Sequence, residues 1–120
     1  MSNPFVYAEL HTQNPEAAKD FYRRLLDWRM TDTPTPQGVY TEIEISGGFP
    51  AGLKRAVEAQ TPSHWLFYIQ VADVAAATDR AKQLGARPLQ ELVVVPDQGR
   101  FSVFADPTGA LFGLWEKQAG

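Results

Sequence analysis

Cysteine is absent from the 120-residue chain. Its absence excludes disulfides, thiolate metal sites and a cysteine nucleophile. Small secreted domains commonly depend on disulfides, so the expectation is a reducing, cytoplasmic setting. Histidine is scarce, with two copies, which rules out a site built from several imidazoles. No apolar run approaches the roughly 20 residues that span a bilayer. The opening Met1-Ser2-Asn3-Pro4-Phe5 has neither the basic region nor the apolar run of a signal peptide. Basic residues are scattered apart from Arg23-Arg24 and Lys54-Arg55, and the net charge is −3. A phosphate backbone requires a concentrated basic surface, so neither nucleic acid nor a membrane is expected as a partner. Phosphate-cradling loops are also missing. Gly47-Gly48 stands alone and reads as a hairpin turn, and there is no Gly-x-Ser-x-Gly elbow for a serine nucleophile.

What is present is a pattern that runs twice. Val6 to His11 alternates as a strand, with Val6, Ala8 and Leu10 on one face and Tyr7, Glu9 and His11 on the other. Asn14-Pro15-Glu16 then opens a helix: Asn14 caps free N–H groups, Pro15 suits the first position and Glu16 complements the dipole. Ala18, Phe21, Tyr22, Leu25 and Leu26 have the spacing of one buried stripe. Strands are expected at Trp28–Asp32, Val39–Ile45 and Phe49–Lys54, with a loop at 34–38. Pro50 marks the last of these as a weak or edge strand. In the third strand, Tyr40, Glu42 and Glu44 share a face, and Glu42 and Glu44 read either as a solvated strand face, the commoner case, or as a carboxylate pair for catalysis. After a connector the order restarts. His64–Val71 is a strand, Asp73 caps a helix with Val74, Ala77, Ala81 and Leu84 inward, and Gly85 ends it. Strands at Pro88–Val95, Arg100–Ala105 and Ala110–Glu116 follow, with turns at 96–99 and 106–109. Shifting the first half by 59 positions lays Asn14 on Asp73, Ala18 on Ala77 and Leu25 on Leu84. Each half therefore reads β-α-β-β-β, an internal repeat of pattern rather than of letters. The reading is one α+β domain, with module one at about 1–55, a connector at about 56–63 and module two at about 64–117.

Several short motifs in order carry a family resemblance. Tyr7-Ala8-Glu9-Leu10-His11-Thr12, Asn14-Pro15-Glu16-Ala17-Ala18, Phe21-Tyr22 and Leu26-Asp27-Trp28 resemble the opening of a vicinal oxygen chelate domain. That superfamily includes glyoxalase I, extradiol dioxygenases, and bleomycin and fosfomycin resistance proteins. Trp65-x-x-Tyr68 with Val71-Ala72-Asp73-Val74, then Leu84-Gly85-Ala86, then Asp106-Pro107-Thr108-Gly109-Ala110 are similar to its second half. The resemblance implies two βαβββ modules curled into an open barrel with the helices outside. It also implies a cleft lined by Tyr7, Glu9 and His11, by Leu66, Tyr68 and Gln70, and by Gly113 and Trp115, and pairing of chains into a homodimer.

Metal-dependent members place one ligand on each of four strands. By the resemblance these positions fall on Tyr7, near Gly52, on Leu66 and on Gly113. Leucine and glycine side chains offer no donor, and neutral tyrosine is a poor one. Glu9, His11, His64 and Glu116 are the residues that could rebuild a site, but Glu9 and His11 share one strand face and further ligands would have to converge from other strands, so no metal and no other cofactor is expected. His11 and His64 read as polar residues at strand ends. Glu9, His11 and Tyr7 are the candidates for catalysis. Glu9 has the chemistry to pair with a ligand cation, to act as a base, or to meet an internal partner such as Arg100. Trp28 and Trp65 read as core or interface residues rather than ligand contacts. Three functions remain open: a metal-free binder of a small organic molecule, a glyoxalase-type lyase or isomerase (metal-independent or with a non-standard metal site), and a dimeric structural or regulatory protein with a vestigial pocket.

Overall fold

A computed structural model describes residues 2–56 and 61–119; residues 57–60 of the expected connector lie outside them. The fold is mixed α+β. Its elements run β1 (Phe5–Thr12), α1 (Pro15–Leu25), β2 (Arg29–Thr35), β3 (Gly38–Glu44), β4 (Ala51–Arg55), then β5 (His64–Gln70), α2 (Val74–Gln83), β6 (Arg87–Val95), β7 (Gly99–Ala105) and β8 (Leu111–Lys117). The chain separates into two compact units, one of Tyr7–Leu66 and one of Met1–Val6 with Phe67–Gly120.

In the first unit the strands lie in the order β2-β3-β4-β1. β1 and β4 are parallel, with Glu9 opposite Gly52 and His11 opposite Lys54. β3 runs antiparallel to both of its neighbours. Alternation sends Ala8, Leu10, Ile43, Ala51 and Leu53 to one face, where they form a core with Ala18 and Tyr22 of α1 and with Trp28, Met30 and Trp65. Tyr22 stacks on Trp28 with centroids 5.5 Å apart, and Trp65 meets Trp28 edge-on at 6.1 Å, so these tryptophans close the core as expected. The other face carries Tyr7, Glu9 and His11.

Helix α1 begins as its sequence dictates. The Asn14 side chain accepts from the Ala17 N–H at 3.1 Å and Pro15 follows the cap, an arrangement worth about 1 kcal/mol. Its buried stripe differs from the expected one. Phe21 and Leu25 are 56% and 61% exposed, while Lys19 is 2% exposed. The helix turns Ala18 and Tyr22 onto the core and lays the Lys19 stem beside them. The ammonium reaches Asp32 on β2 at 3.0 Å and Glu16 at 2.7 Å. Asp32 also accepts from the Thr41 hydroxyl at 2.7 Å, so a buried cation and a buried hydroxyl share one carboxylate. That bond, first, and the Lys19 bond hold the Asp32 carboxyl below the usual range.

Two strand boundaries differ from the expected ones by more than one residue. β2 continues through Pro34 to Thr35, leaving only Pro36-Gln37 as the turn before Gly38. It is the end strand of its sheet, where a residue without an N–H is tolerated. β4 starts after Pro50 and sits between β3 and β1 rather than at an edge.

The second unit repeats the arrangement as β5-β8-β7-β6, with β5 parallel to β8. Val74, Phe104 and Leu114 form its core, packed by Ile69, Val71, Ala77, Ala81 and Phe112. Asp73 caps α2 by accepting from the Ala76 N–H at 3.1 Å. Gly85, at φ +99°, closes it with bonds from its own N–H to Lys82 and from Ala86 N–H to Ala81. That is the Schellman pattern, and the left-handed backbone is why glycine stands there. Leu84, expected to face inward, is exposed, and Thr78 is buried in the helix's packed face. Asp106 shapes the last hairpin by accepting from the Thr108 N–H, the Thr108 hydroxyl and the Ala110 N–H.

Candidate functional site

The chemistry of the first unit collects on the face turned away from α1. Tyr7, Glu9 and His11 stand in a row along β1, because alternate residues share a face. Next to Glu9 on β4 is Gly52, and beyond Gly52 on β3 is Glu42. With no side chain at Gly52, the Tyr40 ring leans across β4 and its hydroxyl reaches β1. A Cβ at Gly52 would collide with the Tyr40 and Tyr7 hydroxyls. The glycine is thus required by close approach of side chains, not by its backbone angles.

A chain of hydrogen bonds results. Tyr40 donates to Glu9 Oε2 at 2.6 Å, and the Tyr7 and Tyr40 hydroxyls are 2.5 Å apart. A phenol has one proton; since Tyr40 gives its own to the carboxylate, Tyr7 donates to Tyr40. The other carboxylate oxygen, Oε1, lies 2.7 Å from His11 Nε2. Glu9 is 8% exposed. Burial opposes its ionisation, but the bonds from His11 and Tyr40 and the nearby charge of Lys54 outweigh it and hold the carboxyl below its usual range. Burial pushes the Tyr7 phenol up to about 12, and burial together with the Glu9 charge raises Tyr40 strongly. Tyr7 and Tyr40 are therefore neutral donors at ordinary pH. The His11 ring is 5.1 Å from that of His64, centroid to centroid.

Of the residues expected here, Tyr7, Glu9 and His11 are brought together, and Leu66 is buried. Tyr40, expected on a solvated face, instead lies against Glu9. The signal for it was weak: it needs the non-local β3-β4-β1 register and the empty position at Gly52. Arg100, offered as a partner for Glu9, instead binds Glu116 at 3.2 Å. Glu116 also accepts from the Val74 N–H at the start of α2, so it serves the helix.

In the second unit the expected residues gather around a buried Tyr68. Tyr68 lies opposite Gly113 on β8, and Gln70 lies opposite Trp115. The Tyr68 ring covers Gly113 as the tyrosine hydroxyls cover Gly52. Phe101 meets Tyr68 edge-on at 5.6 Å and is in register with Trp115 on β7 and β8. Asn3 and Pro4 bind the Gln70 backbone at 2.9 Å each.

The four positions at which a metal would be held by analogy do not fit one. Gly52 and Gly113 present no donor, and tyrosine atoms fill the space above them. Leu66 is apolar, and the Tyr7 hydroxyl is engaged with Tyr40. Among the described residues, no three His, Cys, Asp or Glu side chains converge. No helix among them is long and apolar enough to cross a membrane.

A repeated βαβββ frame with glycine-backed tyrosines on its open strand faces defines the class, a glyoxalase-like α+β protein. The sequence profile described as the Glyoxalase/Bleomycin resistance protein/Dioxygenase superfamily matches residues 5–114, and the chain belongs to that superfamily. It is 35% identical to "Putative glyoxylase CFP32" of Mycobacterium bovis, over 92% of this chain and 44% of that protein. It is 30% identical to "Anthracycline biosynthesis protein DnrV" of Streptomyces peucetius, over 93% of this chain and 46% of that one. The chain thus spans about half the length of the curated relatives it matches. Among solved structures, hypothetical protein BH1468 of Bacillus halodurans superposes with a TM-score of 0.73 at 16% identity, covering 100% of this chain and 98% of the other. Methylmalonyl-CoA epimerase of Mycobacterium tuberculosis gives 0.71 at 15% identity, covering 96% and 88%. At these identities the likeness is one of fold.

Proposed function

We propose that this protein binds a small organic molecule without using the superfamily's metal. The reading rests on one observation: tyrosine side chains occupy the space over Gly52 and Gly113, where metal ligands would stand by analogy. The binding surfaces are the strand faces that carry Tyr7, Glu9, His11 and Tyr40 in one unit and Tyr68, Gln70 and Trp115 in the other. Leu66 and Gly113 support these faces without supplying polar contacts. Apolar and aromatic surface with a few polar groups is what a small-molecule site needs, and the neutral Tyr7 and Tyr40 with ionised Glu9 supply the polar part. We also propose that the chain works as one domain of two modules and pairs into a homodimer, which light scattering checks. The test of binding is a thermal-shift screen of metabolites and drugs with a chelator present throughout. A hit retained under chelation and weakened by Tyr40→Phe supports the reading. Binding that vanishes on chelation sinks it.

A second reading, a metal-independent lyase or isomerase, draws on the Glu9–His11 pair. A buried carboxylate that orients an imidazole is an arrangement suited to proton transfer. Turnover of the methylglyoxal–glutathione hemithioacetal under exhaustive chelation, lost in His11→Gln, favours it over binding alone.

A further inference from the structure

The two histidines of the chain meet in the first unit, at the C-terminal part of β1 and the start of β5, away from the four positions considered above. Each has one ring nitrogen fixed by an acceptor. His11 Nε2 faces the Glu9 carboxylate at 2.7 Å, and His64 Nδ1 faces the Pro62 carbonyl at 2.8 Å. Neither a carboxylate nor a carbonyl can donate, so His11 carries its proton on Nε2 and His64 on Nδ1. In the neutral rings, His11 Nδ1 and His64 Nε2 are then left with bare lone pairs.

This is how proteins prepare histidine to bind a metal: the far nitrogen donates to a carboxylate or a backbone carbonyl, which fixes tautomer and ring direction and raises the basicity of the ligating nitrogen. The ring spacing agrees. Metal–nitrogen bonds of about 2.1 Å at a tetrahedral angle put two imidazole centroids about 5 Å apart. Here they are 5.1 Å apart, with the rings tilted by 55° rather than stacked. We propose that His11 and His64 form a two-imidazole site for a borderline divalent ion such as Zn²⁺ or Ni²⁺, with water or donor atoms of a bound molecule completing the coordination. Imidazole suits these ions, whereas Mg²⁺ and Ca²⁺ want oxygen. Because two donors are the protein's whole contribution, the ion is held reversibly and keeps open positions. The site shares His11 and Glu9 with the binding face proposed above, but it uses neither Gly52 nor Gly113, on which that reading rests.

The experiment uses the full chain, stripped with a chelator and free of any histidine tag. Long-range proton–nitrogen NMR correlation of the two imidazoles reads the tautomers in the unsubstituted protein. The expected spectrum has His11 protonated at Nε2 and His64 at Nδ1, and the opposite assignment for either ring overturns the proposal. Calorimetric titration with Zn²⁺ alone and with Ni²⁺ alone follows. One equivalent per chain is expected. His11→Gln and His64→Gln should each weaken it by at least about tenfold, and Glu9→Gln should weaken it by about 10- to 100-fold, the usual cost of losing the group that orients a ligand. Mg²⁺ should not compete. No saturable binding, or binding that either histidine substitution leaves unchanged, overturns the proposal. The unsubstituted protein decides this even if a variant fails to fold. Failure here leaves metal-free ligand binding standing. Conversely, organic-ligand binding lost on chelation would fail that reading while leaving the histidine site intact.

Discussion

Tyr40 and Glu9 sit two strands apart, on β3 and β1, and are nevertheless joined by a 2.6 Å hydrogen bond. Side chains across that span do not normally meet; here the intervening residue is Gly52, in register with Glu9. The contact therefore depends on an atom that is missing from the middle strand.

Gly52→Ala should remove it. The added methyl would force both tyrosine hydroxyls aside, and overpacking of this kind costs about 1–3 kcal/mol. Urea denaturation should show a lower midpoint with an unchanged slope. A variant as stable as the parent would mean that the tyrosines move freely.

Alkaline pH should act through the same tyrosines. Folding raises the Tyr7 phenol from about 10 to about 12. Between those values the unfolded chain has released a proton that the folded one keeps, so stability is full below pH 10 and falls as pH rises toward 12. Ultraviolet difference titration of the protein against Tyr7→Phe should place the Tyr7 signal well above pH 10. A Tyr7 signal at the ordinary value would count against its burial.

Acid should weaken the α1–β2 contact. Asp32 has a lowered carboxyl pKa in the folded chain, so its contribution is present above the unfolded value near 3.8 and is lost as pH falls through the folded value. Asp32→Ala at neutral pH would take an acceptor from the buried Thr41 hydroxyl and from the Lys19 ammonium, at a cost of about 1–2 kcal/mol. Thermal unfolding should register that loss, together with a flatter acid limb than the parent shows.

Ser102 supports a strained point in the second unit. It is fully buried, pairs with the Thr78 hydroxyl at 2.8 Å, and accepts from the Leu92 N–H at 2.9 Å. Leu92 has φ +50°, a conformation that costs a branched residue. Ser102→Ala should destabilise the protein by about 1–3 kcal/mol, and the Leu92 amide should exchange faster with solvent. Unchanged protection of that amide would show that the left-handed Leu92 holds its place without the hydroxyl.

These sites show which features the sequence carries openly. The caps at Asn14 and Asp73, the Gly85 stop and the Asp106 hairpin are local: each depends on residues within a few positions, so the β-α-β-β-β order could be read twice from the letters. The α1 stripe was misread because Phe21 and Leu25 fit helical spacing as well as Tyr22 does. Which of them turns inward is visible only in contacts with other elements: Tyr22 stacks on Trp28 and Lys19 reaches Asp32. Tyr7, Glu9 and His11 could be grouped because they alternate on one strand. Tyr40 could not, because its contact requires a parallel pairing of β1 with β4 and a gap at Gly52. The tautomers of His11 and His64 depend on bond partners that no spacing reveals.

Pro34 has a further consequence. β2 and β6 are the two end strands in the strand order, and an end strand exposes backbone groups that another chain can extend into a growing sheet. β2 carries Pro34, which lacks an N–H, and β6 carries Pro88 and two register shifts against β7. Neither edge offers an unbroken template for addition. Replacing Pro34 with valine would restore the missing donor, and the cost should appear as self-association in concentrated solution, not as a loss of folding.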